Sequence, residues 1–289
     1  MKTNRDRLVA VSVAGEISAP KSRVPYRVGF DGVARALPGA GGICYNVKVG
    51  DPAFGWVGDH VEPGISLKLK DADENSGLNS LACVGNEVRV VTGDAKGATG
   101  VVTAKHGGIE HVLAFFQVED LEKMMVGDKV LIKALGAGME IEGFPGVAIM
   151  NTSPRLLDSM LIQIQDDHLE VPVVAEVPPE LMGSGIGAPT ARRGDYDITS
   201  QDRERLEELG LLDLRMGDLV AIRDRSSFYG RSYRRGALEI GVVGHGDSFI
   251  SGHGPGVTTL LTANHGEIKP VISSEANIAT YLGLGGEDS

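Results

Sequence analysis

The sequence predicts a mainly β protein, α+β overall, built as a β-barrel or β-sandwich with a few short helices. Three observations point there. Glycine makes up 40 of the 289 residues with no collagen-like period, a density that suits many tight turns. The pattern Gly-Asp-x-Val-x-Ile occurs at residues 127–132 and 217–222, with a looser copy, Gly-Asn-Glu-Val-Arg-Val, at residues 85–90. Gly-Asp supplies a turn, and the alternating residues after it supply a half-buried strand. Short helical segments, residues 118–123 and 201–209, precede the two full copies. These repeated helix–turn–strand entries suggest pseudo-repeated small barrels, and the chain is read as an N-terminal β domain, residues 1–135, and a C-terminal β-rich domain, residues 136–289.

In chain order, residues 8–14 suit a first buried strand. Pro20, Pro25 and Asp31-Gly32 punctuate the next stretch. Residues 37–42, Leu-Pro-Gly-Ala-Gly-Gly, form a loop into a strand over residues 43–49. Residues 70–80 are strongly polar and read as a loop. Ser153 followed by Pro154 marks a helix start, with serine as the cap and proline at the first position. Residues 169–178 read as a strand ended by Pro178-Pro179. A glycine-rich loop at residues 183–187 then leads to the helix at residues 201–209, with Thr199 or Ser200 as its cap. The tail, residues 283–289, is expected to be disordered.

Composition excludes several classes. The net charge is −11, which repels phosphate backbones and argues against a nucleic-acid partner. No apolar run approaches the roughly 18 residues that cross a bilayer, so no membrane partner is expected. The basic N-terminus followed by a short apolar stretch imitates a secretory signal, but the stretch is brief and bracketed by Asp6 and Glu16. A cytoplasmic protein is expected, with Cys44 and Cys83 as reduced thiols. Gly183-x-Gly185-x-Gly187 is not followed by Gly-Lys-Ser/Thr and does not open a helix after a βαβ strand, so nucleotide binding is not expected.

The chemistry concentrates in three loops. Residues 244–256 hold His245, Asp247, Ser248 and His253 among five glycines, between the apolar runs 237–243 and 257–261. Packing alone does not ask for two imidazoles and a carboxylate there. A second loop follows Trp56 and holds Asp59, His60 and Glu62. Asp195 and Asp197 form a third group. Ten arginines fall between residues 192 and 235, and Arg231 and Arg234 are candidates to clamp an anionic ligand through the guanidinium fork.

Residues 84–116 resemble a KOW motif: a strand, the turn Gly93-Asp-Ala-Lys-Gly97, a second strand from Gly100, and an alternating strand ending in Phe115-Phe116. The resemblance implies a small SH3-like barrel over residues 84–134. Its local charge is balanced, so the motif is read as architecture. The segments GWVGDHVEPG, GDYDI and GHGPGVT together resemble a prokaryotic domain-of-unknown-function family nearly end to end. That implies a shared β-rich fold and no assigned activity. A fainter similarity, in Gly/His/Asp-rich loops on a β scaffold, is to the acetamidase/formamidase enzymes, which are metal-dependent amide hydrolases.

The leading expectation is metal-assisted hydrolysis of a C–N bond in a small, anionic, amide-like or cyclic substrate. Asp59, His60, His245, Asp247 and His253 are the candidate ligands of Zn²⁺, Mn²⁺ or Fe²⁺. Asp195, Asp197, Glu62 and Ser248 are the candidate catalytic groups. His245-x-Asp247 would share one side of an extended strand. A second expectation is a Ser248 or Thr258 nucleophile with a histidine base. A third is a non-catalytic oligomeric binding or scaffold protein, and homo-oligomerisation is expected in any case. All of these require residues 59–62, 195–197 and 245–253 to meet in one pocket.

Overall fold

The computed structural model describes residues 1–22 and 24–284. The last five residues of the tail expected to be disordered lie outside the described residues. The first half contains β1 (Val11–Glu16), a hairpin of β2 (Arg27–Val28) and β3 (Ala34–Arg35), β4 (Ile43–Cys44) and β5 (Gly64–Leu67). Helix α1 (Ala72–Leu81) leads into β6 (Glu87–Val90), β7 (Thr99–His106) and β8 (His111–Phe115), and α2 (Val118–Leu121) leads into β9 (Lys129–Ala134). Apart from the hairpin, these strands form one seven-stranded sheet in the order β1-β9-β6-β7-β8-β5-β4. The sheet curls until an Ile17–Leu67 bridge ties the chain after β1 to β5. Residues 84–116 thus supply three successive antiparallel neighbours, and β1, β4 and β5 from earlier in the chain with β9 from later complete the wall.

The second half contains β10 (Val147–Ile149), α3 (Pro154–Ser159), β11 (Gln163–Ile164), β12 (Leu169–Val173), β13 (Ala175–Val177) and β14 (Tyr196–Asp197). Helix α4 (Arg203–Glu208), β15 (Leu219–Ser226), β16 (Ser232–His245), β17 (Gly256–Ala263), β18 (Ile268–Ile272) and α5 (Ile278–Leu282) complete it. Its main sheet runs β10-β17-β16-β15-β13 with β14 pairing β17, while β11, β12 and β18 make a small third sheet.

The repeated Gly-Asx turns share one mechanism. Gly85, Gly127 and Gly217 all have φ between 90° and 94°, a left-handed conformation that glycine adopts at least cost. The next residue's Asx side chain accepts the N–H three residues before it: Asn86 Oδ1 from Cys83 (2.8 Å), Asp128 Oδ2 from Met125 (2.8 Å), Asp218 Oδ2 from Arg215 (2.7 Å). Each turn launches a strand, β6, β9 or β15. In β9 exposed and buried residues then alternate along its whole length.

Several expectations shift. Residues 70–80 are largely helix, because Asp71 caps α1 by accepting from Asp73 N and Glu74 N. Its polar face is buried through amides: Asn79 Nδ2 donates to the Asn75 carbonyl and to the Glu110 carbonyl. The expected strand over residues 43–49 shrinks to β4. Ser153 caps α3 as expected, but α4 is capped by Asp202. Neither Thr199 nor Ser200, the expected caps, takes that place, and Ser200 donates to the carbonyls of Ser248 and His253.

The two main sheets meet at β7 and β16–β17. Gly244 packs against Ala104 with no room for a Cβ. Thr258 Oγ1 accepts from Lys105 N (2.9 Å) and donates to Lys105 O (3.0 Å), stitching β17 to β7. β17 is buried at every position, which hides the alternation that marks a surface strand. Burial of a side chain such as Leu260 or Leu261 contributes on the order of 1.5–3 kcal/mol.

Candidate metal centre

The seam between the sheets ends in a cluster of imidazoles and carboxylates. His245 terminates β16, opposite Gly256 in the register with β17. Asp195 and Asp197 flank Tyr196 around β14, so strand alternation turns both carboxylates to one side and the phenol to the other. His253 arrives from the loop before β17, and His60 from the loop before β5. His106 ends β7 and Glu62 lies just before β5.

Two donor sets converge. His60 Nε2 lies 3.0 Å from His253 Nδ1 and 3.6 Å from Asp197 Oδ2, and His253 Nδ1 is 2.9 Å from that same oxygen. His245 Nε2 lies 2.9 Å from Asp195 Oδ2 and 3.8 Å from Asp197 Oδ1. Within each set, His60/Asp197/His253 and Asp195/Asp197/His245, the donor atoms all lie within 4.8 Å of one another. The ring centroids of His106 and His245 are 4.1 Å apart, and that of His60 lies within 5.5 Å of the other three rings.

A second layer holds the rings. His60 Nδ1 is 2.9 Å from Asp59 Oδ1, which Ser248 Oγ also reaches at 2.7 Å, and Arg27 Nη1 reaches Asp59 Oδ2 at 2.7 Å. His245 Nδ1 donates to the Gly246 carbonyl at 2.9 Å. Carboxylate or carbonyl support of the remote ring nitrogen fixes the tautomer of a metal-binding histidine and aims its other nitrogen. Glu62 Oε1 lies 2.5 Å from His106 Nδ1, and both Glu62 oxygens face His111 Nδ1, at 3.0 and 2.9 Å. His60 has φ 55°, an unusual conformation for a bulky residue that costs energy and concentrates at functional sites.

The electrostatics arise from burial set against charge. Burial opposes protonation of His245, but Asp195, Asp197 and the Gly246 carbonyl outweigh it and push its pKa up to about 9. Burial likewise opposes protonation of His60, and the Asp197 and Asp59 carboxylates raise it. His106 is lowered by burial and by neighbouring His245. Burial disfavours ionised Asp197, yet His253, His60 and His245 hold it below the usual carboxylate range. Glu62 is held well below its usual value by His106 and His111, again against burial. Such a density of buried acids needs compensating positive charge, from protons or from a cation.

The three loops expected to meet do meet, with individual exceptions. Asp247 does not face the cluster: β16 ends at His245, so strand alternation no longer applies two residues on. Its carboxylate pairs with Arg203 at 2.5 Å, and its carbonyl accepts from His60 N. Asp59, Glu62 and Ser248 stand behind the rings. Arg231 is buried, with Nη2 donating to Gly194 O (3.0 Å) and its guanidinium over the Tyr196 ring, so it braces the Asp195–Asp197 segment from behind. Arg234 is exposed beside His265. It lies eleven residues before His245 on β16, about 35 Å along an extended strand. Neither arginine is placed to clamp a ligand at the cluster. Thr258 is committed to the Lys105 backbone. His106 and His111 were missed. Their signal was His106-Gly-Gly-Ile-Glu-His111, the same Gly/His grammar as the loop at residues 244–256.

The chain matches the family described as Domain of unknown function (DUF4438), N-terminal, over residues 26–158, and its C-terminal counterpart over residues 159–282. It is similar to the solved crystal structure of TM1086, with 50% sequence identity and a TM-score of 0.94, covering 97% of this chain and 99% of that one. No curated protein matches it, and none of the matches is an acetamidase or formamidase. No helix among the described residues is long and apolar enough to cross a membrane. With both halves matched and one relative half identical along almost its full length, the chain belongs to the DUF4438 family.

Proposed function

We propose that the protein is a metal-dependent hydrolase acting on the C–N bond of a small amide-like or cyclic substrate. The observation that supports this most is the pair His245 Nε2 and Asp195 Oδ2. Both are buried, they face each other at 2.9 Å, and neither has a partner beyond the other among the described residues. A buried nitrogen and a buried oxygen so placed suit a shared cation, which would replace the proton that Asp195 otherwise holds on His245. The donor set of imidazole and carboxylate suits Zn²⁺, Mn²⁺ or Fe²⁺.

A bound ion would polarise the substrate carbonyl and acidify a water. The water oxygen would bond to the carbonyl carbon as the C–N bond breaks, with the proton lost by water delivered to the leaving nitrogen. His106 is the group suited to move that proton. Glu62 holds its Nδ1, its Nε2 makes no hydrogen bond among the described residues, and its lowered pKa favours the neutral base. His253, the most exposed ring of the cluster at 29%, marks the side from which solvent and substrate enter. Arg231 and Arg234 are turned elsewhere, so the feature of the substrate that the centre would address is its carbonyl. Ser248 is a poor nucleophile here, since its hydroxyl donates to Asp59 and accepts from Ile250 N.

The test is hydrolysis of a panel of small amides, lactams and esters by the purified chain, before and after chelation. Activity that disappears with the metal and returns with Zn²⁺, Mn²⁺ or Fe²⁺ supports the reading. Activity that survives complete metal removal excludes it.

A further inference from the structure

We propose that the centre binds two divalent cations per chain, with the Asp197 carboxylate bridging them. The proposal rests on the metal-ion reading above and adds the number of ions and the role of one residue. One ion would take His60 Nε2, His253 Nδ1 and Asp197 Oδ2. The other would take His245 Nε2, Asp195 Oδ2 and Asp197 Oδ1.

Three observations support it. The two donor sets share a single residue, and they use its two different oxygens. Adjacent ligands on an ion with bonds of about 2.0–2.2 Å stand about 3 Å apart. The observed spacings of 3.0 Å (His60–His253), 2.9 Å (His253–Asp197) and 2.9 Å (His245–Asp195) are of that size. His245 Nε2 and Asp195 Oδ2 are buried and have no partner beyond each other among the described residues, so the second set is closed only by that one ion pair.

A carboxylate bridge holds two ions roughly 3.5–4 Å apart, the spacing at which a water can touch both. Such a centre would supply one ion to acidify the water and the other to polarise the substrate oxygen.

The test strips the full-length protein with chelator and titrates it with Mn²⁺ alone, counting bound ions by equilibrium dialysis and tracking electron paramagnetic resonance. The expected result is two Mn²⁺ per chain and a spin-coupled signal. His253→Ala, at the exposed edge of the cluster, should fall to one ion per chain and lose the coupling while its thermal unfolding stays cooperative. His245→Ala should do the same through the other set. One ion per chain in the unaltered protein overturns the two-ion proposal and leaves the metal reading standing, and no bound ion overturns both. Two ions with no coupling overturn the bridging role of Asp197.

Discussion

Replacing Gly256 by alanine adds one methyl group at the tightest point of the cluster. A Cβ on residue 256 would collide with both His245 Nε2 and Asp195 Oδ2, and relieving the collision moves those atoms by about 1 Å. The φ of Gly256 is not in the left-handed region, so alanine brings no backbone strain and the collision is the whole effect. Forcing an extra methyl into a packed site costs about 1–3 kcal/mol. Disturbing the geometry of metal ligands weakens binding roughly 10–100-fold. The assay is equilibrium dialysis of the chelator-stripped variant against Mn²⁺, beside thermal unfolding. Gly77→Ala is the control: nothing lies within 4 Å of its Cβ position, and it sits inside α1, where alanine is favoured by roughly 0.5–1 kcal/mol. Gly256→Ala is expected to lose affinity at one site, and Gly77→Ala to bind as the unaltered protein does while unfolding slightly later. Unchanged affinity in Gly256→Ala would refute the claim that His245 and Asp195 form a ligand pair.

Other perturbations separate chemistry from scaffold. Glu62→Gln should leave metal content near that of the unaltered protein while lowering kcat by on the order of 100-fold, because it removes the carboxylate that orients His106; a change confined to metal content would place Glu62 in the binding set instead. Asp71→Ala removes the cap of α1 and should cost about 1 kcal/mol of stability by denaturant unfolding, with no effect on metal binding. Glu239 is wholly buried, and burial raises its pKa against the hydroxyls of Ser227 and Thr259 that hydrogen-bond to it. A carboxyl whose folded pKa is raised gives its stabilisation below the unfolded value of about 4.5 and loses it as pH climbs through the folded value. Glu239→Gln should therefore gain on the unaltered protein as pH rises from about 4.5 towards neutrality. A stability difference that does not change over that range would mean Glu239 titrates normally.

Much of the scaffold was legible because the Gly-Asx turns are local chemistry. Gly127-Asp128 and Gly217-Asp218 set a turn and a strand from a few residues, and Asn86 showed the same device in weaker form. Helix α1 was not legible. Its polar composition suggests a loop, and the acceptor that draws in the side-chain amides of buried Asn75 and Asn79, the carbonyl of Glu110, is distant in sequence. The loops that form the centre were visible from their imidazoles and carboxylates, but the roles within them were not. Whether Asp247 or Asp195 faces the cluster depends on where β16 ends and on how β14 pairs with β17. Those are long-range facts. His106 escaped because it closes a strand that reads as pure architecture, and strand alternation alone does not say that β7 packs against β16. The arginines misled for a related reason: closeness in sequence to residues 244–256 suggested a clamp, while the length of β16 carries Arg234 far from His245.

The most direct test of the central claim is a crystal structure of the protein loaded with Mn²⁺, with anomalous scattering recorded at the metal edge. Anomalous density is expected within about 2.0–2.2 Å of the nitrogen atoms of His60, His253 and His245. Saturating metal that leaves this space without anomalous density, with His245 and Asp195 turned to new hydrogen-bond partners, would contradict it.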